Sequence, residues 1–295
     1  MDDLVSQITV NGKFFRQDWN KNMLPTTAAT AGEWSCLARG AGNPGADTLY
    51  NTGTNLAFQS VSDTTSGATG ILHNGNVGGG TGYKHVINAS AASAAATTAP
   101  CILMLVDLLG FYRVTSVTTT GNQATNNAVT IPRYTDGAGV QAFAWNTNST
   151  AMGAATPTLS ITYTNSAGTG SRTTPATLPA CKTAAANGLI LYSGTGAGKY
   201  GPFLPLQAGD AGIRKIDQIN LSASYLSGEF SVGLCRPLFT LPITTVGIAA
   251  ERDFLNQLPS LPRVYDGANL VWLIYHGAAT PVNSGFYGHI DFGWS

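Results

Sequence analysis

Strict two-residue alternation is the feature that most limits what this chain can fold into. Leu159, Ile161 and Tyr163 alternate with Ser160, Thr162 and Thr164, and Ile219, Leu221, Ala223 and Tyr225 alternate with Asn220, Ser222 and Ser224. Successive side chains of a strand point to opposite faces, so this pattern lays an apolar face on a core and a hydroxyl- or amide-bearing face in water. A turn at Ser227 and Gly228, followed by Phe230, Val232 and Leu234, reads as the return strand of a hairpin. Cys101 to Leu109 is an apolar run broken only by Asp107 and continued by Phe111 to Val114. It reads as a strand buried on both faces.

Composition points the same way. Only 10% of the 295 residues are charged, against roughly 25% in an average domain. Water-facing positions are filled instead by Thr, Ser, Asn and many of the 35 glycines, residues that favour strands and turns. The 43% of apolar residues suffices for a core and argues against disorder. The expected fold is all-β: an antiparallel, jelly-roll-like β-sandwich with an irregular N-terminal arm and one short helix. The helix is read from Ile248 to Leu258, where Ile248, Phe254, Leu255 and Leu258 share a face and Pro259 ends it.

The chain divides into an arm (1–30), a loop-rich β region (31–100) and a main sandwich (101–295). In the arm, Ile8 to Phe15 reads as a strand pair around Asn11 and Gly12. The middle region holds a glycine loop, Gly78 to Gly82, and a run of small residues, Ala89 to Ala99, which could form a short helix but, lacking an amphipathic stripe, reads rather as a surface loop. The main region contains an internal echo. Ile131 to Trp145 aligns without gaps on Leu261 to Tyr275, each with Pro-Arg, then Asp-Gly-Ala, then an apolar run. Two copies do not make a solenoid. They fit either duplicated sandwiches or two similar corners of one sandwich; we favour the corners, since residues 1–100 hold no copy of the strands at 159–164.

Several function classes are excluded or disfavoured. Fifteen cations balance fifteen anions, and no like-charged run exceeds Arg214–Lys215 or Asp2–Asp3, so no phosphate-neutralising patch forms and nucleic acid is not an expected partner. The longest apolar run falls far short of the ~20 residues of a membrane helix. The chain opens Met1, Asp2, Asp3, with neither a basic start nor an apolar stretch, so we expect no signal peptide and synthesis in a cytoplasm. Without secretion, the glycosylation patterns at Asn88, Asn148 and Asn220 carry little meaning. Cys36, Cys101, Cys181 and Cys235 are too widely spaced for a zinc site or disulfide framework and read as buried thiols.

Motifs that carry chemistry are not found. Ser193 to Tyr200 imitates a phosphate loop, but Ser193 replaces its first glycine and Tyr200 its final Ser or Thr; it reads as a hairpin loop. His73, His85, His276 and His289 are the general-base candidates by ordinary pKa, yet none belongs to a metal-binding or catalytic spacing, and we read the strand-borne His276 and His289 as hydrogen-bonded structural residues. Asp107 needs a partner inside its apolar run, and Arg113 is the candidate. Asp136 and Asp266 read as turn caps. No catalytic residue, cofactor or metal ligand is expected.

The segments Thr158 to Gly168, Leu206 to Arg214 leading into Ile219 to Leu234, Leu261 to Gly267, and the aromatic C-terminal strand Gly288 to Trp294 resemble those of structural proteins in tailed-bacteriophage virions. The resemblance spans residues 100–295 and implies a non-enzymatic β-sandwich built into the particle, made in the host cytoplasm. A capsid decoration or cement protein that bridges subunits of the major capsid protein is the leading role. A tail or neck component is another. A host-surface carbohydrate-binding module, with Trp145, Trp272 and Trp294 as platforms, is a third. A homo-oligomer is expected, with Phe14, Phe15 and Trp19 of the arm either packing on their own domain or docking on a neighbouring subunit. Titration of the denatured, unreduced protein with a thiol reagent should find four free thiols; two or none would contradict this reading of the cysteines.

Overall fold

The computed structural model describes residues 13–23, 28–74, 83–95, 97–127, 130–175, 180–183, 185–193, 201–256 and 261–294. Its strands are β1 (Phe14–Asn22), β2 (Trp34–Cys36), β3 (Gly42–Asn43), β4 (Phe58–Ser60), β5 (Lys84–Ser93), β6 (Cys101–Val114), β7 (Gly121–Ala124) and β8 (Gln141–Asn146). They continue as β9 (Leu159–Asn165), β10 (Arg172–Thr173), β11 (Ile213–Leu221), β12 (Phe230–Ile243), β13 (Ala250–Asp253), β14 (Arg263–Val264), β15 (Leu270–His276) and β16 (Gly285–Trp294). A single 3-10 turn at Leu49–Asn51 is the one helical element among the described residues.

The strands form three antiparallel sheets. The middle sheet runs β2-β15-β6-β12-β8, with β4 on the far end of β6. Its centre is the pair β6–β12, fourteen residues each. One face of the middle sheet, with Leu103, Leu105, Leu241, Trp272 and Ile274, packs on the sheet β13-β5-β16-β1-β3 through Trp19, Val86, Phe286, Ile290 and Phe292. Val106, Leu108, Val271 and Leu273 belong to the other core, shared with Ile161, Tyr163, Ile216 and Ile219 of the sheet β10-β9-β11-β7. An all-β sandwich results, layered because a sheet apolar on both faces must be covered on both.

Alternation reads β9 correctly: its buried and half-buried residues alternate along seven positions. β6 likewise spans the expected buried run. Three local expectations are corrected. The expected hairpin at 219–234 is absent: β11 pairs with β9 and β7, while β12 pairs with β6 and β8. The turn at Ser227 and Gly228 therefore links two sheets, because alternation marks a buried face without naming the partner strand. Ala89 to Ser93 is no loop but part of β5, between β13 and β16. Small residues on both faces hide the period, and they let backbones approach: a Cβ at Gly288 would lie 1.9 Å from the Ser90 carbonyl oxygen. The expected helix at 248–258 is replaced by β13, whose ladder to β5 satisfies the backbone. Asp253 then ends the strand, its Oδ1 accepting from the amides of Leu255 and Asn256. Asn11–Gly12, Gly78–Gly82, residues 194–200 and residues 257–258 lie outside the described residues.

The internal echo is a structural one. β15 begins opposite Asp107 of β6, β8 begins opposite Cys235 of β12, and Asp107 and Arg236 face each other across the central pair. The two copies thus flank β6–β12 at equivalent positions to within one residue. Each enters its strand through an Asp-Gly turn whose glycine, Gly137 or Gly267, has φ of 73°, a value that favours glycine. They are two corners of one sheet.

Asp107 finds a different partner from the expected Arg113. Six residues of extended chain separate those two by about 20 Å, and Arg113 instead pairs with Glu229 at 2.8 Å. Arg133, from the first echo corner, grips Asp107 with Nε at 2.9 Å and Nη2 at 2.7 Å. It also donates to the carbonyls of Val61 and Leu108. The Asn269 amide of the second corner donates to the same carboxylate at 3.1 Å. Burial pushes the Asp107 carboxyl above its ordinary pKa, opposed by the hydrogen bonds and charge of Arg133. Removing one partner of such a pair leaves a buried charge uncompensated, so Arg133→Met should lower unfolding stability by about 3–5 kcal/mol. The double variant Asp107→Leu/Arg133→Met should recover part of that loss in denaturant titrations; a single variant as stable as the parent would contradict the role given to the pair.

Candidate functional site

Most buried polar groups fasten the fold together. The Lys21 ammonium donates to the carbonyl oxygens of Ala38 (3.2 Å), Gly40 (2.7 Å), Pro44 (3.2 Å) and Gly45 (3.0 Å), tying the 38–45 loop to β1. Glu33 is held by Lys182 and Asp210 by Arg172 at 3.0 Å. The four cysteines are free and buried, and burial pushes the Cys36 and Cys101 thiols up to about 12.

The histidines divide into structural and surface groups. His73 is buried, with Nε2 2.8 Å from the Ala268 carbonyl and Nδ1 2.9 Å from Lys84 Nζ. A neutral ring protonated on Nε2 satisfies both contacts. Burial first, then the Lys84 charge, lowers its pKa. His85 is lowered by burial and by Arg263. His276 is fully buried, with Nε2 2.9 Å from Ser35 Oγ and Nδ1 2.8 Å from Thr280 Oγ1. Asp136 is a turn cap as expected, its Oδ1 accepting from the Ala138 amide, while Asp266 contacts Lys84 at 3.3 Å.

His289 is different: it lies on the outer face of the sheet β13-β5-β16-β1-β3. Registers place His289 between Asp18 of β1 and Ser90 of β5, and Tyr287 between Asn20 and Ala92. Asn43 of β3 extends the second row beyond Asn20. Asp18, Asn20, Asn43, Ser90, Tyr287 and His289, with Ala92, Ala249 and Gly288, line an open groove of about 460 Å³. Tyr287 is 45% exposed. Asn20 Oδ1 accepts from the Asn43 amide at 2.6 Å, and Asn43 Nδ2 donates to the Asp18 carbonyl at 3.1 Å.

Ser90, His289 and Asp291 superficially suggest a nucleophile, base and orienting acid. Ser90 Oγ lies 2.8 Å from His289 Nδ1. Asp291, however, gives its two oxygens to Arg16 Nε (2.6 Å) and Nη2 (2.7 Å), and His289 Nε2 is 4.0 Å from it. The imidazole is therefore not oriented by the carboxylate as a triad requires. The surrounding amides belong to the β5–β16–β1 ladder rather than converging on a developing oxyanion. The arrangement suits binding by hydrogen bonds better than acyl transfer.

The aromatic residues singled out from sequence are dispersed. Trp19 is 3% exposed and packs on Trp272, ring centroids 4.9 Å apart, within the chain's own core. Phe15 is half-buried and stacks on Phe292, whereas Phe14 is 37% exposed. Trp145 and Trp272 are buried, so neither is a platform; Trp294 is half-buried. Tyr287, missed in the sequence, is the aromatic that faces the groove. Period-two reading of β16 would have found it, since Phe286, Ile290 and Phe292 face the core and Tyr287 and His289 do not.

No family model matches this sequence, and no curated protein matches it. Among solved structures, "The 2.6A structure of Infectious Bursal Virus Derived T=1 Particles" is weakly similar: 13% identity over 95% of this chain and 77% of that chain, with a TM-score of 0.20. A similarity at that level carries no conclusion about fold or function.

Burial, and secondarily the Lys182 charge, lowers the His276 pKa from 6.5 to about 3. The folded chain thus holds His276 neutral where the unfolded chain binds a proton. Its contribution is complete above the unfolded pKa and is lost as pH falls from about 6.5 towards 3, at up to about 1.4 kcal/mol per unit. The stability advantage of the parent over His276→Gln should therefore shrink by roughly 2 kcal/mol between pH 7 and pH 4.5 in urea titrations. A constant difference would contradict the neutral assignment.

Proposed function

We propose that this chain is a non-enzymatic structural protein of a phage virion, a decoration or cement protein that assembles as a homo-oligomer on the head and bridges subunits of the major capsid protein. The carrying observation is where the charge goes. Asp107, Glu33, Asp210, Glu229 and Asp291 are each largely buried and each held by Arg or Lys from a distant part of the chain. These five carboxylates are taken out of the surface in this way, and with 10% of residues charged the water-facing positions fall largely to Thr, Ser, Asn and Gly. Closely packed copies bury large surfaces, and such a surface avoids the desolvation of unpaired charges there. The resemblance of residues 100–295 to tailed-phage virion proteins supports the same reading.

Contact between copies is assigned to the start of β1, where Phe14 stands exposed while Trp19 is occupied in its own core. An exposed aromatic of this kind anchors interfaces. Phe14→Ser should leave the circular dichroism spectrum unchanged and lower the mass measured by light scattering; a parent protein that is already monomeric would overturn the oligomer. Cryo-electron microscopy of particles carrying a labelled copy tests placement. Density on the head supports the proposal, density on the tail or neck replaces it with that role, and a protein absent from the particle overturns it.

A further inference from the structure

We propose that the groove on the outer face of the β13-β5-β16-β1-β3 sheet is a saccharide-binding site, with Tyr287 as its stacking surface and Asp18 as its principal hydroxyl acceptor. The first argument is shape. The groove's volume of about 460 Å³ lies within the roughly 300–1,000 Å³ of small-ligand sites. Its floor is cleared by small residues: Ala92 and Ala249 line it together with the backbone of Gly288.

The second argument is spacing. Directly paired positions on adjacent strands lie about 5 Å apart and diagonal ones about 7–8 Å. Asp18 pairs with His289, and Tyr287 lies two residues before His289 on the same face, so Asp18 and Tyr287 form such a diagonal. A pyranose ring fits between an aromatic plane and a carboxylate at that separation. Its apolar C–H face would lie on the tyrosine, and two neighbouring hydroxyls would donate to the carboxylate oxygens.

The third argument is chemistry. Among the described residues, neither the Asp18 carboxylate nor the Tyr287 hydroxyl makes a hydrogen bond within the chain. Asn20 and Asn43 add amide groups that both donate and accept. A polyol needs such a mixed set. The Asp18 carboxylate in the lining disfavours an anion, and the guanidinium of Arg16, two residues away on β1, is engaged with Asp291. A peptide strand would seek an open sheet edge, whereas Tyr287 and His289 stand on β16, which is laddered to β1 on one side and β5 on the other.

Saturation-transfer NMR of the purified full chain with the methyl glycosides of glucose, galactose, N-acetylglucosamine and rhamnose, together with a glycan array, tests the site. At least one saccharide should bind the parent protein. Tyr287→Ala and Asp18→Asn, both at exposed positions, should each weaken that binding about tenfold or more, and Ala249→Arg should block it by filling the groove. Circular dichroism confirms that each variant is folded. The proposal is overturned if no saccharide binds, if the three variants bind as the parent does, or if Tyr287→Ala changes the oligomeric mass and leaves sugar binding intact. Because the test uses the isolated chain, its result is independent of where the protein sits on a particle.

Discussion

One buried carboxylate organises the centre of this fold. Asp107 sits midway along β6, with β12 on one side and β15 on the other, where an unpaired charge would be prohibitively costly. The two echo corners resolve that cost together. The first supplies the Arg133 guanidinium and the second the Asn269 amide. The same interaction therefore fixes β8 and β15 on the two flanks of the long central pair, and its extra donors reach the Val61 and Leu108 carbonyls. A purely apolar centre would pack as densely. It would not specify which corner meets which strand, a role that buried polar groups fill in some proteins.

The remaining charge follows the same logic at the periphery. Lys21 satisfies four carbonyls of a loop that forms little regular ladder of its own. Arg16 joins the first strand to the last through Asp291, spanning 275 residues of sequence. Such long connections suit a chain dominated by non-local pairing, because each staple closes a large loop that strand pairing alone would have to hold. Asp18 departs from this pattern: among the described residues its carboxylate is held by no side-chain hydrogen bond, and it stands beside an exposed tyrosine and small residues.

Much of the fold was legible in the sequence where one strand could be read alone. β6 declared itself by continuous apolarity and β9 by alternation, and the two Asp-Gly corners by their turn chemistry. Features that depended on a partner were not legible. The strands at 219 and 230 look like a hairpin because both alternate, yet β11 and β12 diverge into separate sheets. Ala89 to Ser93 lacks a period because both of its faces are small. Glu251 and Asp253 suit the polar side of a short helix as well as the water-facing side of an edge strand, and only the free edge of β5 decides between them. Asp107 signalled that it needed a cation, but proximity in sequence pointed to Arg113, which an extended chain carries out of reach.

The groove was less legible still, because it is a property of rows rather than of strands. Its residues come from β1, β3, β5 and β16 and meet only through register. Alternation assigns Tyr287 and His289 to one face of β16, yet nothing within β16 names Asp18 or Ser90 as neighbours. Register in turn depends on the opposite face. A slip of one residue would carry Phe286, Ile290 and Phe292 out of the core and turn Tyr287 into it. Gly288 narrows the choice further, since the close approach to Ser90 that it allows is open to no residue with a Cβ. The aromatic core below the sheet and the polar groove above it are therefore two consequences of one pairing. That is why a groove without any motif of its own can still be built with defined spacing: the core fixes the rows, and the rows place the groups.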